Sequence, residues 1–268
     1  MTGRPFLSRY EHLPLVGSTN DVVRAWLADG TPEVCLAVAD EQSAGRGRDG
    51  RSWEAPSGAA LLLSLGFRPT WLPPDRAWHL AAITSLAMAE AAEDVAELET
   101  GTVRLKWPND LIVEKGDRPL KIAGLLGETD GLGTNDPRVV VGIGINADWP
   151  AAEFPPALKA SMTSLREAAG GRPVDRAGLL AAFTRRLETK VGALRDGRFE
   201  AETWAVRQAT TGRTVTIETP GGRQELAAGR GVDPASGALV VEAADGSERS
   251  IVSAEIVHLR LAPAESRV

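Results

Sequence analysis

A long polar loop between two apolar strands constrains the fold of this chain most strongly. Residues 34–39 and 59–67 are almost entirely apolar, as strands buried on both faces are. The stretch between them, residues 40–58, is polar and rich in glycine. Loops of this length between core strands are uncommon unless they have a function. The sequence therefore predicts a buried sheet that carries a functional loop.

Hydrophobic periodicity predicts the other elements of the first part of the chain. Polar residues from Ser18 to Asp21 precede apolar residues at helical spacing, and Gly30 follows them, so we expect a capped helix that begins near Asn20. Further patterns predict helices at 75–94, 176–194 and 198–208, and strands at 103–107, 121–128 and 139–146. Such a mixture of helices and apolar strands is typical of an α/β (α+β) domain.

The character of the sequence changes near Gly212. From there onward, short alternating segments are separated by glycine-containing turns, a pattern that predicts a small β-barrel. We therefore expect a catalytic-sized domain at residues 1–210 and a small all-β domain at residues 211–268.

Composition excludes several classes of function. The 30 Lys and Arg residues are outnumbered by 36 Asp and Glu residues, which argues against nucleic acid or an anionic membrane as partner. The single cysteine, Cys35, allows no intramolecular disulfide and fits a reducing compartment. The three histidines are scattered, so no zinc site is expected. No apolar run approaches the ~20 residues that a membrane helix needs. We expect a cytoplasmic protein.

Residues 45–53 read Gly-Arg-Gly-Arg-Asp-Gly-Arg-Ser-Trp and concentrate positive charge where the backbone is least restricted. Guanidinium groups bind phosphate and carboxylate with two hydrogen bonds, and glycines let backbone N–H groups approach an anion. The segment matches neither a P-loop nor a Rossmann fingerprint. A polyanionic small molecule is the expected ligand, while a solvated loop or a contact with RNA would also explain the pattern.

Three further segments bear polar groups beside predicted strands. Residues 106–110, Lys-Trp-Pro-Asn-Asp, would expose an amide and a carboxylate, although from spacing alone a plain β-turn is the better explanation. The next strand begins at Lys121, and its glycines, Gly124 and Gly127, would let a ligand lie against it. A third strand ends in Gly-Ile-Gly-Ile-Asn, where Asn146 could bind a base or ribose and the glycines could equally serve strand packing.

Taken together and in this order, the motifs resemble those of the biotin protein ligases. The resemblance rests on Ser-Thr-Asn at 18–20, Gln42, the Arg-Gly loop, Lys-Trp-Pro-Asn-Asp-Leu, Lys-Ile-Ala-Gly-Leu-Leu and Gly-Ile-Gly-Ile-Asn, and it covers residues 18–148. Residues 229–241 resemble the SH3-like domain of that family more loosely. The resemblance implies a mixed-sheet domain of the class II aminoacyl-tRNA synthetase and biotin ligase type, followed by an SH3-like β-barrel.

The resemblance also implies an activity. Such a ligase activates biotin with ATP and Mg²⁺ to biotinyl-5'-AMP and transfers biotin to a lysine of the biotin carboxyl carrier domain of an acyl-CoA or pyruvate carboxylase. Only seventeen residues precede Ser18, so we expect a ligase without a DNA-binding domain and without a nucleic-acid partner. We expect a monomer or a weak homodimer.

Roles follow for individual residues from the same resemblance. The catalytic residues are expected to be Lys121, Arg48 and Arg46. Biotin would be bound by Ser18, Thr19, Asn20, Gln42, Arg46, Gly47, Arg48, Lys121 and Gly124. ATP and the adenylate would be bound by Arg48, Arg51, Trp53, Lys106, Asn109 and Asn146. The metal ion would be held by Asp110.

Two alternatives remain at this point. A lipoate ligase of the same fold would use the same adenylation chemistry on a different acyl chain, although the Arg-Gly loop and the Lys-Trp-Pro-Asn-Asp segment favour biotin. A non-catalytic RNA-binding protein would use the Arg-Gly loop and the terminal β-barrel, but the acidic composition makes it the weaker hypothesis.

Overall fold

Two β-sheets organise the computed structural model, which describes residues 5–218, 222–252 and 255–261. The strands are β1 (Arg9–Val16), β2 (Cys35–Gln42), β3 (Ala60–Phe67), β4 (Val103–Lys106), β5 (Asp110–Lys115), β6 (Arg118–Asp130), β7 (Arg138–Asn146), β8 (Arg213–Glu218), β9 (Gln224–Val232), β10 (Leu239–Ala243), β11 (Glu248–Ile251) and β12 (Glu255–Leu261). The helices are α1 (Thr19–Ala28), α2 (Trp78–Val95), α3 (Leu165–Ala168), α4 (Arg176–Arg195) and α5 (Ala201–Val206). The predicted mixture of helices and strands is confirmed.

The first sheet has seven strands in the order β1-β2-β3-β7-β6-β5-β4. Only β1 and β2 run parallel, and each other neighbouring pair of the sheet is antiparallel. The sheet is therefore mixed. In the described part of the chain, no helix combines the length and hydropathy needed to cross a bilayer.

Helices cover the two faces of this sheet unequally. On β2, Leu36 and Val38 join the large core that α2 and α4 cover, whereas Cys35 and Ala37 pack beneath α1 with Val23. Successive side chains of a strand alternate between the two faces of a sheet, so the same division tells which residues of the other strands lie on each face. Since α1 has only ten residues, it covers only part of the sheet face against which it packs. That uncovered part is the floor of the cleft described below.

Two strands are absent from the sequence-based prediction. β1 alternates exposed and half-buried residues and contains Pro14, a residue typical of edge strands because it cannot donate a ladder hydrogen bond. β5 begins with Asp110 and ends with Lys115, so only its middle is apolar. Both strands lack the continuous apolar run that identified their neighbours. The predicted helix at 198–208 is also shorter, because α5 spans only Ala201–Val206.

The prediction of a side-chain cap on α1 is wrong. Ser18 has the extended backbone of an N-cap residue but accepts no capping hydrogen bond. The side chains of Thr19 and Asn20 instead turn toward Gln42 and Ser64 on neighbouring strands. The polar residues at the start of this helix therefore line the cleft.

The second sheet is antiparallel, with the order β11-β10-β9-β8-β12. Among the described strands, β11 and β12 form no pair with each other, so the predicted barrel is not closed. Backbone hydrogen bonds join the segment that leads into this sheet to the first sheet, because Leu105 donates to Arg207 O at 2.9 Å and accepts from Ala209 N at 2.7 Å. The segment before β8 thus pairs with β4, the last strand of the larger sheet.

A buried ion pair supports the same junction, and we expect Glu93→Ala to lower the free energy of unfolding by about 3–5 kcal/mol. Glu93 is 4% exposed and accepts from Arg207 Nη1 at 2.7 Å and from the backbone N–H groups of Gly101 and Val103, each at 2.9 Å. The substitution would leave Arg207 buried without its carboxylate. Urea denaturation at neutral pH measures the loss.

The neighbouring exposed pair supplies the control for this measurement. Asp94 pairs with Arg186 at the surface, where solvent screens the charges, so Asp94→Ala should cost less than about 1 kcal/mol. Equal losses in the two variants would contradict the assignment of Glu93 to the junction.

Candidate active site

The cleft lies over the centre of the seven-stranded sheet. Strand pairing aligns Leu62, Gly144, Gly124, Asp110 and Lys106 in one row across β3, β7, β6, β5 and β4. Paired residues project from the same face of a sheet, so this row passes from an apolar side chain over two glycines to two charged ones. The row defines a bare floor with a charged end.

The loop that follows β2 lies directly on this floor. A Cβ atom at Gly144 would lie 2.5 Å from Trp53 Nε1, and one at Gly124 would lie 3.1 Å from both the Trp53 ring and Lys121 Nζ. Contacts shorter than 3.0 Å to a Cβ essentially do not occur, so the indole could not remain here above alanine at position 144. The glycine of β7 therefore serves the cleft as well as strand packing.

A chain of hydrogen bonds forms the opposite end of the cleft. Gln42 Oε1 accepts from the backbone N–H of Thr19 at 2.8 Å and from its hydroxyl at 3.0 Å. Ser64 Oγ lies 2.7 Å from Thr19 Oγ1 and donates to Asn20 Oδ1 at 2.6 Å. Asn20 Nδ2 donates to Glu128 Oε2 at 3.1 Å. Since Thr19, Asn20 and Ser64 are all buried, these bonds fix the orientation of each polar group before a ligand arrives.

Arg46 connects this hydrogen-bonded chain to the Arg-Gly loop. Its guanidinium binds the Asp21 carboxylate with two hydrogen bonds of 2.7 and 2.9 Å and reaches Glu128 Oε1 at 3.3 Å. Hydrogen bonding to Arg46 holds the pKa of Asp21 below its usual value. Two carboxylates thus fix the position of one cation at the rim of the cleft.

Backbone hydrogen bonds give the Arg-Gly loop the shape of a small hairpin. Gly47 N donates to Arg51 O at 2.7 Å, and Trp53 N donates to Gly45 O at 2.9 Å. A Cβ at Gly45 would lie 2.3 Å from Trp53 O, so glycine is required for this close approach. The hairpin places Arg48 Nη1 3.5 Å from Asn109 Oδ1, at the other end of the cleft.

The charged end has more cations than carboxylates: it is lined by Arg48, Arg51, Lys106 and Lys121 and by Asp49 and Asp110. Lys121 Nζ lies 2.6 Å from Asp110 Oδ1, and Lys106 and Arg51 line the same part of the cleft. Burial lowers the pKa of Lys106, Asp110 opposes this shift, and the charges of Lys121 and Arg51 add to it. The surplus of positive charge makes this end suitable for a polyanion.

The structure brings together all but one of the predicted site residues. The cleft is lined by Ser18, Thr19, Asn20, Gln42, Arg46, Gly47, Arg48, Arg51, Trp53, Lys106, Asn109, Asp110, Lys121 and Gly124. Asn146 does not line it: this side chain is 4% exposed and its amide donates to Thr163 O at 2.9 Å. The predicted role of Asn146 in nucleotide binding therefore requires this hydrogen bond to be exchanged.

Three further residues of the cleft are absent from the sequence-based prediction. Ser64 is the one polar residue in the apolar strand β3, and that isolation was a usable signal. Glu128 follows Lys121 on the same strand and shares its face with Gly124, a relation that strand periodicity could have revealed. Asp21 resembled an ordinary residue of a helix N-terminus, so only the structure identifies its contact with Arg46.

The donor groups for a metal ion are few. Within the described ranges, no cluster of three or more His, Cys, Asp and Glu side chains is arranged to hold a metal ion. Asp110, whose side chain is 18% exposed, supplies one carboxylate beside Lys121. Mg²⁺ commonly takes only one or two protein carboxylates and completes its shell with phosphate oxygens and water, so this donor set fits Mg²⁺ that arrives with a nucleotide.

Comparison with known proteins agrees with this geometry. The model of the biotin/lipoate A/B protein ligase family matches residues 13–146. The biotin--[acetyl-CoA-carboxylase] ligase of Mycobacterium tuberculosis is 32% identical over 91% of this chain and 86% of its own length. The chain belongs to the biotin/lipoate A/B protein ligase family. Membership excludes the non-catalytic RNA-binding alternative in favour of a ligase.

Other members of the family extend the similarity to the whole fold. The biotin protein ligase of Aquifex aeolicus, solved in complex with biotin and ATP, superposes with a TM-score of 0.75 at 25% identity, over 95% of this chain and 99% of that one. The Leishmania major biotin protein ligase, solved with biotinyl-5-AMP, gives a TM-score of 0.63 at 26% identity, over 91% and 99%. The bifunctional ligase/repressor BirA of Bacillus subtilis is 34% identical over 62% of this chain, but the match covers only 48% of BirA.

The close approach of Asn20 to β7 can be tested without any ligand. A Cβ at Gly142 would lie 2.2 Å from Asn20 Oδ1, so Gly142→Ala should displace this amide from Ser64 and lower the free energy of unfolding by about 1–3 kcal/mol. Gly127→Ala on β6, where nothing lies within 4 Å of the added Cβ, should change stability by less than about 0.5 kcal/mol. Indistinguishable denaturation curves for the two variants would show that Asn20 is not held against β7.

Proposed function

We propose that this protein activates biotin with ATP to biotinyl-5'-AMP and then transfers the biotinyl group to a lysine of a biotin carboxyl carrier domain. The carrier would belong to an acyl-CoA or pyruvate carboxylase. Family membership and the substrates named for the relatives support this proposal. The choice of biotin rests on one observation, the buried hydrogen-bond chain at the apolar end of the cleft.

The ureido ring of biotin has two N–H donors and one carbonyl acceptor, all of which need partners when the ring is buried. Ser18, Thr19, Asn20 and Gln42 would supply them, because their side chains line this end and three of them belong to the hydrogen-bond chain. The dithiolane ring of lipoate has no such groups and would leave these buried residues without ligand partners. The chain of hydrogen bonds therefore favours biotin over lipoate.

The charges along the cleft fit the first chemical step. A biotin carboxylate oxygen attacks the α-phosphorus of ATP, and the bond to the pyrophosphate oxygen breaks. The biotin chain would run over Gly124, and its carboxylate would meet Arg46, the Gly47 N–H and Arg48. Lys121 and Arg48 would stabilise the negative charge that builds up on the α-phosphate. These three cationic side chains are the catalytic residues of the proposal.

The nucleotide would occupy the charged end. Arg51, Lys106 and Asn109 would bind phosphates, and Trp53 would face the adenosine. Asn146 would join them only if its amide leaves Thr163 O. Asp110 would hold Mg²⁺ together with the phosphates, and the ion would add positive charge where pyrophosphate leaves.

The second step requires protection of the intermediate. Biotinyl-5'-AMP is a mixed anhydride that water hydrolyses, so the Arg-Gly loop would have to cover it until a carrier lysine arrives. The lysine amine attacks the acyl carbon, and AMP leaves with the electrons of the broken bond. Because Trp53 and Gly45 hold the base of the loop together, the loop could cover the intermediate as one hairpin.

Other features of the proposal rest on the sequence patterns and the family resemblance. We propose a domain boundary between residues 210 and 211 and an SH3-like domain at 211–268, of which residues 219–221, 253–254 and 262–268 lie outside the described ranges. A cytoplasmic location and a monomer or weak homodimer remain predictions.

Transfer to a carrier domain tests the proposal directly. Incubated with ATP, Mg²⁺, biotin and a purified carrier domain, the protein should add the mass of one biotinyl group to the carrier, and only when ATP is present. Lipoate in a parallel reaction should add nothing. Attachment of lipoate alone would change the substrate, and no attachment of either would refute the proposed activity.

The catalytic cations give a second expectation. Lys121→Ala and Arg48→Ala should each slow formation of biotinyl-5'-AMP by about 100- to 1000-fold, because each removes fixed charge from the reacting groups. Lys115→Ala removes an exposed lysine at the end of β5 and serves as the matched control. The adenylate is quantified by mass spectrometry without carrier. Near-normal rates in Lys121→Ala and Arg48→Ala would contradict the site assignment.

A further inference from the structure

Residues 107–109 form the turn between β4 and β5. Within the larger sheet, one residue of β6 forms hydrogen bonds to this turn. Leu125 N donates to Asn109 O at 2.8 Å, and Asn109 Nδ2 donates to Leu125 O at 2.8 Å. This double hydrogen bond fixes the end of the turn that leads into Asp110. It does not reach the start of the turn, which follows Lys106.

The start of the turn is held by the second sheet. The Trp107 side chain is 4% exposed, and its Nε1 donates to Gly237 O at 3.0 Å. Trp107 is separated from Gly237 by 130 positions in the sequence. The residue between Lys106 and Pro108 is thus bound to the turn that connects β9 and β10.

The β9–β10 turn is itself well fixed. Asp233 accepts hydrogen bonds from Ala235 N at 3.0 Å and from Gly237 N at 2.8 Å, and its carboxylate also binds Ser236 Oγ. Gly237 has φ +73°, and a Cβ there would lie 2.9 Å from the ring of Trp78 on α2. The turn therefore presents the Gly237 carbonyl to Trp107 in one position, between its own hydrogen bonds and an aromatic ring.

The strand that leads into the turn depends on the same part of the chain. Leu105, immediately before Lys106, is hydrogen-bonded on both sides to residues 207–209. Lys106 consequently lies between a residue paired with the segment before β8 and a residue bound to the β9–β10 turn. Both supports lie outside the larger sheet.

We propose that Trp107 is a positioning residue for nucleotide binding and that Gly237 is its partner. Through this hydrogen bond the second sheet fixes Lys106 and the start of the turn, while Leu125 fixes its end at Asn109. The inference rests on the proposed function, which assigns that end to ATP. The chain of hydrogen bonds that would bind biotin lies at the other end of the cleft. The contact between Trp107 and Gly237 therefore controls the affinity for the nucleotide and leaves the affinity for biotin unchanged.

The variant Trp107→Phe in the full-length protein tests this inference. It keeps an aromatic ring but removes the N–H group together with part of the buried indole ring system. We expect the KM for ATP to rise about tenfold, the equivalent of one lost hydrogen bond, and the KM for biotin to stay within about twofold. Calorimetric titration with α,β-methylene ATP, which cannot be cleaved between the α- and β-phosphates, should show the same loss of affinity.

A pair of glycine substitutions tests the partner and keeps the inference falsifiable if Trp107→Phe does not fold. Gly237→Ala would push the β9–β10 turn away from Trp78 and should also weaken binding of the ATP analogue. Gly246→Ala is the matched control, because Gly246 has φ +80° in the next turn of the same sheet and nothing lies within 4 Å of the added Cβ. Both alanines strain the backbone, but only the one at position 237 should lower the affinity for the ATP analogue.

The outcomes separate this inference from the proposed function. Nucleotide affinity equal to that of the wild type in Trp107→Phe and Gly237→Ala would overturn it, and so would a parallel loss of affinity for ATP and biotin. A wild-type protein that binds the ATP analogue but forms no biotinyl-5'-AMP would instead refute the proposed function. The comparison of nucleotide affinities would still decide the role of Trp107.

Discussion

Close contact between side chains and the backbone of three glycines determines the arrangement of the cleft. Gly124, Gly142 and Gly144 lie on adjacent strands, and a Cβ atom on any of them would meet a side chain of the cleft. Trp53 and Asn20 can therefore lie almost flat on the sheet. The depth of the cleft comes from these missing side chains, because both strands are otherwise continuous and fully paired.

Charge compensation is the second organising feature. Arg46 is paired with Asp21 and Glu128, and Lys121 is paired with Asp110. Both cations are partly exposed, so solvent screens them, and the carboxylates offset the remaining cost of crowding positive charge in the cleft. An anionic substrate must therefore replace these carboxylates as the partner of Arg46 or Lys121. The net free energy gained on binding is smaller than a count of charges would suggest.

Much of the fold was accessible from the sequence where one physical signal dominated. Continuous apolar runs identified β2, β3 and β7, and apolar residues with helical spacing identified α2 and α4. β1 and β5 were missed because edge position and charged ends removed that signal.

The site residues were accessible through the ordered motifs, whereas Asp21, Ser64 and Glu128 were not. Nothing local distinguishes Asp21 from an ordinary residue of a helix N-terminus. The isolation of Ser64 in an apolar strand and the periodicity of β6 at Glu128 were local signals that the prediction did not use. The contact between Trp107 and Gly237 joins residues more than a hundred positions apart, so no pattern within either segment could predict it.

Strand periodicity in β6 has a consequence for how this protein can change during evolution. Gly124, Leu126 and Glu128 occupy alternate positions of one strand and face the cleft, while Ala123 and Leu125 face the core. Loss or gain of a single codon within this stretch would exchange the two sets, placing a carboxylate in the core and an alanine or leucine in the cleft. Sequence divergence here is therefore confined to replacement of one residue by another. Differences in length among homologous genes should accumulate in the connecting loops on either side of the strand.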